Sequence, residues 1–332
     1  MAERLGNSGL QGEALLQEAL ILALRGTTQG VLLPMYARAA SLLEAGGRLR
    51  ALCLLYIARG NLFLQYGELV NAEREQAQAA GLAERRLSEL ILRAAAANLY
   101  DVQIQLGRWE EARRTYRWAR ALLQQLDAEW RIGFNGEPWW LLGDPLRELA
   151  EYRRGLEQAR QQANVDDQIS YASLLAQRYL ALGRVAETEG PAREAMAVIR
   201  GSGNWGHAMW AMPSLAEALV RISAPDAEAL LVEAFDLAER IEGKGLLPQL
   251  LRARGLLLVR QGDLAGALTV LHESARLARE QHALLQLGAT LATLAEVAKA
   301  TDDQVTALEA DSERHALIER IGPEVRVLLW AR

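Results

Sequence analysis

The chain has 332 residues, of which 51% are hydrophobic and 24% charged, and its formal net charge at pH 7 is −5. A chain of this length exceeds the size of one compact core, so we expect two domains or a repeat array. The negative net charge gives no overall field that attracts nucleic acid, so we expect no direct nucleic-acid binding. Leu, Ala, Glu, Gln and Arg predominate, and because these residues favour helices, the composition predicts an all-α protein.

Cysteine and histidine usage excludes several kinds of site. Cys53 is the only cysteine, so the chain forms no internal disulfide, and a reducing, cytoplasmic location is expected. The four histidines lack metal-ligand spacing, and neither a phosphate-binding glycine loop nor a nucleophile elbow is present. We therefore expect no cofactor, no metal and no catalysis. No uncharged apolar run approaches the ~18 residues that a membrane-spanning helix needs, so no membrane partner is expected.

A repeat of about 40 residues runs along the chain. Each copy predicts two helices that meet at a turn, in which a glycine permits the left-handed backbone that ends the first helix. The turns are spaced at intervals of 38 to 41 residues, or twice that where one is indistinct. In chain order they lie at 26–30, Gly67, Gly107, 143–144, Gly183, a degenerate copy at 224–226, Gly262 and a degenerate copy at 300–303. The period predicts about eight antiparallel helix hairpins.

Small residues recur at matching places within these hairpins. Gly60 and Gly255 lie in first helices, and Ala72, Ala112 and Ala267 lie in second helices. A large side chain at these positions would separate the two helices, so the pattern predicts that they approach closely.

The arrangement resembles the tetratricopeptide (TPR) family, which has a small residue in helix A, a turn glycine and an alanine in helix B. The copies around Gly67, Gly107 and Gly262 carry the resemblance. The period is longer than the roughly 34 residues of that family, and the closing proline is missing. The longer helices are similar to the MalT-like repeat region of bacterial signal-transduction ATPases and LuxR-type regulators. This resemblance implies one right-handed superhelical solenoid, an α-α superhelix, over residues 1–332.

Two segments interrupt the repeat. An irregular junction is expected at 128–145, where glycines and Pro138 disfavour a helix. A longer connection is expected at 201–207. The aromatic residues at these breaks either fill a repeat junction from inside or anchor a partner; they are Trp130, Trp139, Trp140 and Trp205. The segment 323–332 is expected to cap the last hairpin or, alternatively, to dock onto a neighbouring domain.

In the TPR family the A helices line a concave groove. Counting back from each turn places eight candidate binding residues there by resemblance: Asn61, Gln65, Asp101, Gln105, Gln177, Arg221, Gln249 and Arg252. Amide groups can bond to an extended peptide backbone and arginines can pair with a carboxylate. A merely hydrated surface is the alternative.

These features predict a non-catalytic protein-interaction or sensor module, a regulatory arm of a bacterial signalling or transcription-control protein. Its expected partner is a protein or peptide on the concave face. The alternative is a small-molecule effector receptor that signals by a change in superhelix shape, with the ligand held near the aromatic loop and the groove arginines.

Overall fold

A computed structural model describes residues 7–85, 88–125, 145–202 and 205–321. Within these ranges the chain forms fifteen α-helices and one 3-10 helix, Lys244–Leu246, and no strand, which confirms the all-α prediction. The helices are α1 Ser8–Leu24, α2 Gln29–Ala45, α3 Leu49–Gln65, α4 Leu69–Ala83, α5 Glu89–Gln105, α6 Trp109–Gln125, α7 Pro145–Gln161, α8 Val165–Ala181, α9 Val185–Ser202, α10 Trp205–Arg221, α11 Ala227–Arg240, α12 Leu247–Gln261, α13 Leu264–Glu280, α14 Leu284–Ala300 and α15 Gln304–Ile321.

The chain divides into two units. Unit 1 comprises Met1–Gly133 with Arg240–Glu242 and holds α1 to α6. Unit 2 comprises Phe134–Glu239 with Gly243–Arg332 and holds α7 to α15, apart from the last residue of α11. That residues 1–332 form one continuous domain stays a prediction.

Helix length and turn length are nearly constant along both units. Ten of the described helices have 17 residues, and most are joined by turns of about three residues. One turn residue has a positive φ, which lets the backbone reverse within so short a connection. These left-handed residues are Gly26, Gly47, Gly67, Gly107, Ala163, Gly183, Ser223, Glu242, Gly262, His282 and Asp302. The solenoid of consecutive antiparallel helices follows from this alternation.

The predicted turn glycines in the described ranges are confirmed, and both degenerate copies fall in turns, 224–226 before α11 and 301–303 before α15. The left-handed residues there are Ser223 and Asp302, one and two residues away from the Ala224 and Ala300 used for counting. Aspartate tolerates the left-handed region better than most residues, although glycine tolerates it best. Counted between left-handed residues, the turns at Gly183, Ser223, Gly262 and Asp302 lie 39 or 40 residues apart.

The helices alternate between two roles. We call the first helix of each hairpin A (α1, α3, α5, α8, α10, α12, α14) and the second B (α2, α4, α6, α7, α9, α11, α13, α15). The A helix expected before α7 falls in the junction, outside the described residues. Successive A helices contact each other, α1, α3 and α5 in unit 1 and α8, α10, α12 and α14 in unit 2. These contacts make a continuous A layer in each unit.

The small residues act as the sequence predicts. Ala72, Ala112 and Ala267 are completely buried. A Cβ atom added to Gly255 would lie 2.8 Å from Cγ of Leu271, and one added to Gly60 would lie 2.7 Å from Cδ of Gln76. A larger residue would therefore displace Gln76 where α3 meets α4 and Leu271 where α12 meets α13.

The predicted connection at 201–207 is wrong, because α9 continues through Ser202 and α10 begins at Trp205. A glycine inside a helix costs about 1 kcal/mol relative to alanine, a cost that packing of the flanking helices can offset.

The junction residues before Pro145 and the segment 323–332 lie outside the described residues. No described helix has the length and apolarity to cross a membrane.

The close approach at Gly60 predicts a position-specific effect of added volume. Gly60→Val should lower the free energy of unfolding by about 1–3 kcal/mol, because the new side chain overlaps the fully buried Gln76. Gly81→Val is the matched control in α4, since a Cβ there meets nothing within 4 Å. Urea unfolding followed by circular dichroism measures both, and equal losses would contradict the packing argument.

Candidate functional site

A row of mainly polar residues runs along the A helices. Each lies six residues before the left-handed residue that follows its helix, so within each unit these residues occupy the same helical position. We call these residues the A-layer row: Leu20, Asn61, Asp101, Gln177, Glu217, Leu256 and Glu296. Leu20 and Leu256 are its apolar members.

In unit 1 the row is partly open to solvent. Asn61 and Gln65 on α3, and Asp101 and Gln105 on the neighbouring α5, are all half-buried. The two pairs are 40 residues apart and therefore match in position. Oδ1 of Asn61 accepts a hydrogen bond of 3.0 Å from Nε2 of Gln76. The structure thus places these four predicted residues on two adjacent helices.

In unit 2 one member of the row, Glu217, is buried and charged, whereas Gln177 and Leu256 are half-buried and Glu296 is exposed. Glu217 of α10 accepts hydrogen bonds from two groups of Arg252 on α12, Nη2 at 2.7 Å and Nε at 3.2 Å. Arg221, one helical turn after Glu217, donates through Nη2 at 3.0 Å and Nε at 3.2 Å. Nε2 of Gln249 on α12 donates to the same carboxylate at 3.2 Å.

Further bonds extend this arrangement to α14. Nη1 of Arg252 donates to Oε1 of Gln286 at 2.9 Å and to Oγ1 of Thr290 at 3.5 Å. Oγ of Ser274 lies 2.9 Å from Oγ1 of Thr290 and donates to the carbonyl oxygen of Pro248 at 2.6 Å. We call Glu217, Arg221, Gln249, Arg252, Gln286 and Thr290 the Glu217 cluster. It joins three successive A helices through side chains.

The electrostatics of the cluster keep Glu217 ionised. Burial opposes its charge, but the charges of Arg252 and Arg221 and their hydrogen bonds outweigh burial and lower its pKa from 4.5 to about 2. Glu217 and Arg252 are each about one-twentieth exposed, whereas Arg221 is about one-third exposed. Arg252 is therefore held inside unit 2 by a carboxylate of the same chain.

Three predicted groove residues, Arg221, Gln249 and Arg252, thus converge on Glu217, which sequence reasoning missed. Counting from Ala224 places Ala218 at this position of the row, whereas counting from Ser223 places Glu217 there. The available signal was the spacing of four residues between Glu217 and Arg221, which puts both on one helix face.

The other predicted site residues lie elsewhere in the chain. Gln177 is half-buried on α8. Trp130, Trp139 and Trp140 lie outside the described residues, as does the side chain of Trp205, the first residue of α10.

Other reactive side chains are few in the described ranges. No group of three or more His, Cys, Asp or Glu residues there is arranged to hold a metal ion. Cys53 is buried, its Sγ donates to the carbonyl oxygen of Ala79 at 3.2 Å, and burial raises the pKa of its thiol to about 11. Such a thiol is a poor nucleophile because little of it is ionised near neutral pH.

Comparison with known proteins finds similarity among solved structures. No family model matches the chain, and no curated protein matches it. The crystal structure of BtubC (BKLC) from P. vanneervenii is similar to this chain, with 18% sequence identity and a TM-score of 0.38. The similarity covers 77% of this chain and 91% of BtubC. At this TM-score the similarity supports no inference about function.

The buried ion pair predicts a large, non-additive effect of mutation. Glu217→Gln should lower the free energy of unfolding by about 3–5 kcal/mol, because it leaves the Arg252 charge buried without a counter-charge. Replacing both partners, Glu217→Leu with Arg252→Met, should cost less than Glu217→Gln alone. Urea unfolding of Glu217→Leu, of Arg252→Met and of the double variant measures the coupling energy between the two side chains. If the free-energy losses of the two single variants add up to the loss of the double variant, the two charges act independently.

The pKa of Glu217 also predicts a dependence on pH. The pKa is lower in the folded chain, about 2 against 4.5, so ionised Glu217 stabilises the fold above pH 4.5, and this contribution is lost as the pH falls toward 2. The stability difference between the wild type and Glu217→Gln should therefore narrow across this interval. A constant difference in acid unfolding experiments would contradict the assignment.

Proposed function

We propose that this protein is a non-catalytic interaction module that binds a protein or peptide partner through the A layer of unit 1. The observation that carries the proposal is the pair of matching, half-buried polar positions on α3 and α5, Asn61 with Gln65 and Asp101 with Gln105. Side-chain amides at a fixed spacing offer both donors and acceptors to the backbone of a bound chain.

The composition of this face supports the proposal. Leu54 is 36% exposed on α3 and lies two helical turns before Asn61, so apolar and amide groups share one stripe of the helix. The side chain of Gln105 makes no hydrogen bond to any described residue, so its amide is available to a ligand. A face that combines an exposed leucine with half-buried amides suits a peptide better than a small polar solute.

The contrast with unit 2 also favours unit 1 as the binding region. Glu217 and Arg221 occupy there the positions that Asn61 and Gln65 occupy in unit 1, and they are bonded to each other. Glu217 is buried among its bonded partners, whereas Asn61, which accepts a bond from Gln76, and Gln65, which donates to the carbonyl oxygen of Ile241, stay half-buried and within reach of a partner.

The finer part of the proposal rests on the resemblance of the repeat to TPR and MalT-like regions. By that resemblance the protein is a regulatory arm of a bacterial signalling or transcription-control protein, located in the cytoplasm. Partner binding on unit 1 would then bias the state of the protein that this arm regulates.

Site-specific crosslinking tests where a partner binds. A photoreactive amino acid at Gln105, on the A layer, should give a discrete adduct in cells of the native host. The same group at Gln124, which is exposed on the B helix α6, should not. Equal labelling at both positions, or none at Gln105, would refute the proposed location.

The partner identified in this way allows a quantitative test. Asn61→Ala combined with Gln105→Ala should weaken its binding roughly 5- to 100-fold, since each lost hydrogen bond is worth about 0.5–1.5 kcal/mol. The matched control is Gln78→Ala with Gln124→Ala, two exposed amides on B helices. Calorimetric titration should show an unchanged Kd for the control, and the same loss in both variants would point to a general effect on folding.

A further inference from the structure

Ion pairs link successive B helices at three places in unit 2: α7 with α9, α9 with α11, and α13 with α15. Each arginine of the series is the sixteenth residue of its helix: Arg160 in α7, Arg200 in α9 and Arg279 in α13. Each carboxylate lies on the next B helix, 33 or 34 residues further along the chain: Glu194 in α9, Glu233 in α11 and Glu313 in α15. We call these three pairs the B-helix ladder.

The geometry of the ladder is that of strong charge-assisted hydrogen bonds. Arg160 binds both carboxylate oxygens of Glu194, Nε to Oε1 at 2.7 Å and Nη2 to Oε2 at 2.5 Å. Arg279 binds Glu313 in the same way, at 2.8 and 2.6 Å. Two parallel bonds fix the orientation of both side chains, and the same planar fork recurs in separate repeats.

The third pair and one additional contact join the same helices. Nη2 of Arg200 donates to Oε2 of Glu233 at 2.5 Å. Arg193 of α9 binds both carboxylate oxygens of Asp226, just before α11, at 2.8 and 2.9 Å. The junction between α9 and α11 therefore contains two arginine–carboxylate links.

These links matter because the two layers are held differently. Successive A helices of unit 2 pack directly, whereas neither α7 with α9 nor α13 with α15 packs as closely. The ladder side chains are one-quarter to about one-half exposed, so dissolved ions can screen their attraction. The coupling between B helices thus depends more on salt than the coupling between A helices.

We propose that the B-helix ladder is an ionic-strength-sensitive coupling between the repeats of unit 2. At low ionic strength the arginine–carboxylate pairs join successive B helices, so neighbouring repeats open together. At high ionic strength the pairs weaken and the B helices move more independently, while the A layer stays joined by the Glu217 cluster. In a repeat array such interface interactions set how cooperatively the repeats behave.

The experiment uses the full chain and a control at the same position in the repeat. Glu273 of α13 lies 40 residues after Glu233 and 40 before Glu313, but it binds Arg276 of its own helix at 2.7 and 2.5 Å. Glu313→Gln breaks a link between helices, and Glu273→Gln removes the same charge but breaks a link within one helix. Any difference between the two variants therefore reports coupling between repeats.

Hydrogen exchange read by mass spectrometry gives the first readout. In 20 mM NaCl, Glu313→Gln should speed amide exchange at least twofold at the C-terminal end of α13, the helix that was not mutated. Glu273→Gln should change exchange in α13 alone. In 1 M NaCl the effect of Glu313→Gln on α13 should largely disappear, because the screening length falls to about 3 Å.

Charge reversal gives a second, independent readout. Arg160→Glu and Glu194→Arg should each lower the melting temperature in 20 mM NaCl by about 2–4 °C, and the double variant should recover at least half of that loss. No recovery in the double variant, or exchange effects that are equal in both salt concentrations, would overturn the proposal.

Discussion

The structure depends on one backbone constraint, a left-handed residue in the short turn after nearly every helix. Because the turns hold about three residues and most helices 17, the chain reverses every 20 residues and repeats its direction every 40. Positions separated by one full period then face the same way on successive A helices or successive B helices. The A-layer row and the B-helix ladder both follow from this constant spacing.

The two layers of unit 2 are held by interactions of different strength. The Glu217 cluster is buried, so separating its charges exposes an unpaired charge to a medium of low polarity, which costs several kcal/mol. The ladder is exposed, and a pair of this kind is usually worth less than about 1 kcal/mol. The A layer is therefore the rigid part of unit 2, and the B layer is the part that solution conditions can modify.

Unit 1 differs from unit 2 at the same helical positions. Asn61 and Asp101 are half-buried amide and carboxylate groups, whereas Glu217 is enclosed by two arginines. The repeat thus supplies one framework, in which the same helical position holds half-buried polar groups in unit 1 and, at Glu217, a buried ion cluster in unit 2. This difference is the basis for locating binding on unit 1.

The features that sequence predicted are those with a strong local signal. Gly67, Gly107 and Gly262 ended their helices as expected, because glycine adopts the left-handed backbone at little cost. Ser223 gave no such signal. Counting from Ala224 instead of Ser223 places Ala218, and not Glu217, at the position that Asn61 occupies in α3.

Contacts between distant residues were beyond prediction for a different reason. Arg160 and Glu194 read in the sequence as ordinary solvated charges, and their pairing depends on how far one B helix is displaced along the next. The expected connection at 201–207 failed because local glycine preference was overridden by packing of α9 and α10. Sequence therefore specified the helices and most turns, and tertiary geometry specified which side chains meet.

The most direct test of this account compares glycine with alanine at two adjacent positions, 223 and 224. At 223 the backbone is left-handed, so Ser223→Gly should be more stable than Ser223→Ala by about 1 kcal/mol, with the hydroxyl absent from both. At 224 the order should reverse, with the wild-type alanine more stable than Ala224→Gly. Urea unfolding that instead favours glycine at 224 and alanine at 223 would place the turn one residue later and remove Glu217 from the A-layer row.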